Sequence, residues 1–349
     1  MASLGLLSTL RGILQGKRNA DIENIMSKLH YRVTTTVLFS FCLIVTTNTL
    51  VGDPISCIVD RTNPKLSDKV INTYCWIHTT FTIPNRIYKE RDTHFPGISN
   101  YNRVDTITYH AYYQWVPFML FLQGLMFYAP HYFWKTLEGG RLQSIVTDFS
   151  TPIFNSEERR KRIKQLADYL QNSLWRNNTY VIKYLICEFL YLLNCIINIV
   201  LIDKFLNGMF ITYGTDVLSY NEVTDHENKI HPMIALFPRM AKCSMNMYGS
   251  SGSIERHDFL CVLAVNVVNE KIYLIMWFWL FFLISMSSNK KVNVVIQTFN
   301  QMGDIFILSL LKKNIDSQYL ELLVTELSAR DTNNLEIKSN EPKILETSI

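Results

Sequence analysis

Four long stretches of this chain carry almost no charge, and they constrain its fold more than any other feature. Residues 33–52, 106–134 and 272–289 contain no Asp, Glu, Lys or Arg, and 184–202 contain one acid, Glu188. A run of about 20 apolar residues crosses the ~30 Å hydrocarbon core of a bilayer as a helix, which satisfies its own backbone there. A buried helix of a soluble protein rarely runs so far without charge. The pattern predicts a mainly α membrane protein, a bundle of four transmembrane helices. The spans divide the rest into an N-terminal segment 1–32, loops 53–105, 135–183 and 203–271, and a tail 290–349. Arg11 interrupts the apolar stretch 4–14, and no basic residues precede it. It therefore does not read as a cleavable signal, and the first span reads as a retained anchor.

Basic residues orient the bundle. The N-terminal segment, the loop 135–183 and the tail hold 21 of the 34 Lys and Arg; the loops 53–105 and 203–271 hold 13. Lys and Arg concentrate on the cytoplasmic side, so both termini are expected inside. Cysteine placement points the same way. Cys57 and Cys75 lie 18 residues apart in one outer loop, and Cys243 and Cys261 lie 18 apart in the other. Cys42, Cys187 and Cys195 fall inside spans. Outside the cell these loops meet an oxidising environment. Without a short Cys-x₂₋₄-Cys spacing, zinc is a poor reading. The four outer cysteines are expected to form disulfides that staple the loops.

Within the segments, Leu4, Leu7 and Leu14 sit at helical spacing and suggest an amphipathic helix on the inner leaflet. Residues 70–81 of the first outer loop, with Cys75 and Trp76, read as a short helix among Pro54, Pro64, Pro84 and Pro96. Pro117, Gly124 and Pro130 in the second span read as packing kinks. Glu188, near the inner interface, is expected to snorkel or to pair with a lysine. The run from Glu157 to Lys164, followed by Leu166, Tyr169 and Leu170, predicts cytoplasmic helices with one apolar face. Its basic residues suit a solvated face or contact with anionic lipid. For 203–271, short strands and turns fit better than helices, including a strand-like run 258–268 and a small sheet. His226 and His231 read as surface histidines. Ile305, Leu308, Leu311, Leu320, Leu323 and Leu327 predict tail helices, and the last ~20 residues are polar enough to be disordered. Phosphate loop, nucleophile elbow, metalloprotease and dinucleotide patterns are all missing, as is a basic aromatic groove. Neither enzyme, nucleic-acid binder nor cofactor protein is indicated.

At the start of the second span the chain reads Tyr112-Tyr113-Gln114-Trp115-Val116. This resembles the signature of innexins, the invertebrate gap-junction proteins. Gly52-Asp53-Pro54-Ile55, Cys57-Ile58-Val59-Asp60, Thr73-Tyr74-Cys75-Trp76, Pro84-Asn85-Arg86, Glu138-Gly139-Gly140-Arg141, Tyr213-Gly214-Thr215-Asp216-Val217 and Lys242-Cys243 extend the resemblance over residues 20–290, closest to insect innexins. It implies subunits assembled around a pore, about eight per hemichannel as homo- or hetero-oligomers. It further implies docking to the hemichannel of an adjacent cell, at gap junctions of the plasma membrane. By resemblance, Cys57 pairs with Cys261 and Cys75 with Cys243, and the N-terminal segment, with Ser3, Leu4 and Leu7, folds into the pore mouth. The match weakens around 290–299 and resumes at Gly303-Asp304, across a segment shorter than in typical insect innexins. In that respect the chain also resembles innexin-like genes carried by insect-associated viruses. Two rival readings are a nonjunctional, pannexin-like release channel and a pore-less four-helix adhesion protein. Bare outer loops favour docking: the one Asn-x-Thr acceptor, Asn177-Asn178-Thr179, falls on the expected cytoplasmic side.

Overall fold

The computed structural model describes residues 23–59, 67–83, 97–98, 106–150, 156–172, 174–220, 231–300 and 304–340. Ser3, Leu4, Leu7 and the stretch 4–14 lie outside these residues, as do Pro64, Pro84, Pro96 and His226.

The protein is mainly helical, and among the described residues three helices are long and apolar enough to cross a membrane. These are α1 (Ile25–Val51), residues 178–205 within Leu174–Phe205, and residues 264–287 within Ala264–Asn300. The helix over the second expected span, Tyr112–Glu138, is equally long but mixes Tyr, Gln, His and Pro among its apolar residues. Each of the last three runs past its uncharged core. The second, by contrast, starts later than its composition predicts, because residues 108–110 are pulled into a sheet.

In chain order after α1 come β1 (Ser56–Ile58), α2 (Asp68–His78), β2 (Thr80–Thr82), β3 (Thr108–His110), α3 (Tyr112–Glu138), α4 (Arg141–Ser150), α5 (Ser156–Gln171) and α6 (Leu174–Phe205). Then follow α7 (Phe210–Ser219), α8 (Pro232–Leu236), β4 (Met240–Tyr248), β5 (Ile254–Val262), α9 (Ala264–Asn300), α10 (Asp304–Asn314) and α11 (Ser317–Asn340).

The chain forms two compact units. One comprises residues 1–28, 131–189 and 289–349. Its core gathers Trp134, Leu142, Leu166, Ala167, Tyr184, Leu311 and Leu323, so the apolar faces expected on the middle loop and the tail are indeed buried. Both Glu138 carboxylate oxygens accept backbone N–H groups at 2.7 Å, from Gly140 and Leu142, and cap α4. The positive φ of Gly139 (+65°) and Gly140 (+78°) makes the reversal possible. Here Glu188 takes a hydroxyl rather than a lysine: Ser27 Oγ donates to it at 2.8 Å. The tail helix continues to Asn340, farther than its polar composition predicts.

The other unit comprises residues 29–130 and 190–288. Its core runs from Leu38, Val45, Leu120 and Phe127 to Ile202, Tyr213, Phe237, Tyr273 and Leu280. Pro117 and Pro130 lie inside the continuous helix α3, and the segment around them packs against α1. Gly124 admits Phe39, whose ring would stand 2.7 Å from a Cβ there. Side chains of α1 reach α3 carbonyls, Thr35 Oγ1 at Gly124 O and Cys42 Sγ at Pro117 O, each at 3.4 Å.

Residues 210–219 correct the expectation of strands and turns. They form α7, because Gly214 lies flat against Trp277 and Trp277 Nε1 donates to Ile211 O at 3.0 Å. The run 258–268 is likewise only half strand: β5 ends at Val262 and α9 starts at Ala264.

Candidate functional site: the cross-linked sheet and the face of the first helix

Among the described residues, five antiparallel strands form one sheet in the order β1-β5-β4-β2-β3. Its strands come from both loops, so the sheet is shared and not confined to the second loop. The β4–β5 hairpin is internally paired from Met240↔Val262 to Tyr248↔Ile254, and first-loop strands flank it on both sides. Two disulfides lock this arrangement. Cys57 stands directly across from Cys261 and is bonded to it, while Cys75 of α2 is bonded to Cys243 of β4. Sulfur atoms of Cys57, Cys75 and Cys261 lie within 4.8 Å of one another, so the bridges form one buried knot.

The pentapeptide at the head of α3 holds both loops. Tyr113 is fully buried with its ring 4.9 Å from that of Trp76, and Gln114 Nε2 donates to Trp76 O. These contacts grip α2, which carries Cys75. Tyr112 points the other way, edge-on to Phe237 and Phe205, with its hydroxyl at Leu236 O. Val116 is buried below them and Trp115 is exposed.

At the start of α9, Glu270 is fully buried and takes a forked contact from Arg239 at 2.8 and 3.3 Å, with Lys271 at 3.2 Å. Tyr213 donates its hydroxyl to the Glu270 carbonyl at 3.0 Å. Burial first, and the Glu270 carboxylate second, push the Tyr213 phenol far up, so it stays a donor. In β3, His110 Nε2 lies 2.7 Å from Thr82 Oγ1, and burial pulls the imidazole down to about 4. His231 caps α8, its Nδ1 accepting the Met233 N–H at 3.2 Å.

A second feature was legible in the sequence and was missed there. On α1 the buried side carries Thr35, Leu38 and Val45, while Arg32, Thr36, Ser40, Leu43 and Thr47 lie exposed in one line. Their three- and four-residue intervals are those of a single helix face. The exposed faces of the other apolar helices differ: Leu193, Ile196, Ile197 and Val200 on α6, and Ile275, Phe278 and Phe282 on α9. Those faces suit lipid; α1 also exposes Val33, Leu43, Ile44 and Leu50, and differs from them in the arginine and hydroxyls interspersed along its exposed face.

Residues 23–301 match the innexin family model. Innexin inx3 of Drosophila melanogaster is 44% identical over 293 residues, covering 82% of this chain and 73% of that one. Innexin inx2 of Schistocerca americana is 38% identical over 355 residues, covering 93% and 97%. Innexin shaking-B of Drosophila melanogaster is 36% identical over 357 residues, covering 93% and 95%.

Proposed function

The chain belongs to the innexin family, and from that premise we propose that it is a gap-junction channel subunit whose oligomers pass ions and small solutes passively between cells. The innexin match over residues 23–301 carries this reading, and the polar residues on the exposed face of α1 agree with it. Thr36 Oγ1 and Ser40 Oγ donate to the carbonyls one turn back, Arg32 O at 2.7 Å and Thr36 O at 2.8 Å, so within this line it is the exposed Arg32 that most favours water over lipid. Pore width and these side chains would set selectivity, with no cofactor. The disulfide-knotted sheet is a rigid platform for docking to the opposed hemichannel.

Topologically the reading requires four spans, α3 included. The loops 53–105 and 203–271 are outside, and both termini are inside. About eight subunits per hemichannel follow from the resemblance. Ser3, Leu4 and Leu7 belong at the pore mouth in this scheme. An epitope tag at the C-terminus should be hidden from antibody on intact cells and exposed after permeabilisation. Labelling of intact cells would refute the orientation.

The functional test is expression in both of two apposed cells that otherwise lack coupling. Junctional current and transfer of a small dye are expected. Adhesion without either would point to a pore-less protein. Current across single unpaired membranes alone would point to a nonjunctional channel.

A further inference from the structure

The first helix is not α-helical throughout. Leu29–Thr34 forms a π-helical turn before the α-helix resumes over Thr35–Val51. Such turns are rare and collect at functional positions in helices. Here α9 grips the turn at two points. Trp279 Nε1 donates to Thr34 Oγ1 at 2.8 Å, and that hydroxyl donates onward to Leu29 O at 2.9 Å. Two turns further along α9, Ser287 Oγ lies 3.0 Å from His30 Nε2. The His30 ring stacks with Phe127 of α3 and also meets Tyr191 of α6. Thr34 and His30 are both buried.

The turn matters for rotation. A π turn holds about one residue more than an α turn, and one residue is about 100° of helical phase. Relaxing it to α geometry would turn the following helix by about that angle. The line Thr36, Ser40, Thr47 would leave the exposed face and its neighbours would replace it.

We propose that Trp279 and Ser287 are positioning residues for permeation: they pin the π turn and so set which face of α1 meets the pore. The proposal rests on the channel reading above and deepens it.

The test reads the face directly. Ser40→Cys is introduced into a Cys42→Ser background, and the rate at which a charged thiol reagent alters the current is measured. Cys187 and Cys195 are buried. Modification is expected in this background. Thr34→Val and Trp279→Phe each remove the same hydrogen bond, and either should slow modification by about fivefold, the shift one hydrogen bond produces. The double variant should be no slower than Thr34→Val alone, which already loses both the bond from Trp279 and the bond to Leu29 O. Thr34→Ser keeps the hydroxyl and should restore the rate. Surface labelling checks assembly, and Ser287→Ala tests the second pin if a Trp279 variant fails to reach the surface.

Unchanged rates in Thr34→Val, Trp279→Phe and Ser287→Ala overturn the proposal. Slowing in Thr34→Ser equal to that in Thr34→Val also overturns it, by assigning the effect to packing. A channel that conducts with Ser40→Cys but ignores the reagent removes the premise that this face lines the pore. Absence of current from the unsubstituted protein instead refutes the channel reading itself.

Discussion

Gly214 shows how a single hydrogen atom shapes one end of the bundle. A methyl group there would stand 2.2 Å from the Trp277 ring, closer than any real contact. Gly214→Ala should displace Trp277, break its bond to Ile211 O, and cost about 1–3 kcal/mol as an overpacked contact. The melting temperature of the detergent-purified protein measures it. Read in sequence, Gly214 looks like a turn residue. Its role is legible only from Trp277, which lies far along the chain.

His110 makes a second prediction at this scale. Its folded pKa of about 4 lies below the ordinary value near 6.5, so the unfolded chain binds the extra proton first. The contribution is fully present above pH 6.5 and is lost as pH falls toward 4, by about 3 kcal/mol at most. Melting temperature should therefore fall over that window, and His110→Gln should flatten the dependence if the amide preserves the bond to Thr82. An equal slope in the variant would assign the loss to other groups.

Among the elements, the disulfide-bonded sheet and α2 carry the clearest prediction. Cys57→Ser removes a bond spanning 204 residues and Cys243→Ser one spanning 168, and each leaves a buried partner thiol. Loss of a disulfide closing so long a loop costs about 2–5 kcal/mol. Either variant should abolish junctional current, and full current in either would show that docking does not need the knot.

How far the elements can be read from sequence depends on where their partners lie. Helix α2 and the amphipathic α5 and α10 are written in local spacing, so Cys75, Leu166 and Leu311 take their expected places. Residues 108–110 look like the start of a span because they are uncharged, yet they pair with Thr80–Thr82. Only that strand, brought in from elsewhere, could reveal it. The exposed line on α1 was readable from its hydroxyls at helical intervals. The apolar count that identifies a span conceals them, because it averages over all faces. The π turn was not readable, since Trp279 and Ser287 impose it from a helix some 250 residues away in the chain.

At the scale of the whole molecule, the interleaved strand order governs how the protein must be made. Strand β1 finds its neighbour only in β5, and Cys57 finds its sulfur only at Cys261. A ribosome adding about 5–20 residues per second needs about 10–40 s to make the intervening 204 residues. Until Cys243 is made, Cys57 and Cys75 share one loop with no native partner yet synthesised, and each is the other's nearest thiol within that loop. Pulse-labelled chains trapped early with a thiol-blocking reagent should therefore contain free or Cys57–Cys75-linked forms. These should convert to the crossed pair only after residue 261 has emerged. A chain truncated just before Cys243 should never lose that form. The sheet that makes the finished protein rigid thus leaves the nascent chain dependent on oxidoreductase and isomerase, and it ties the rate of channel production to theirs.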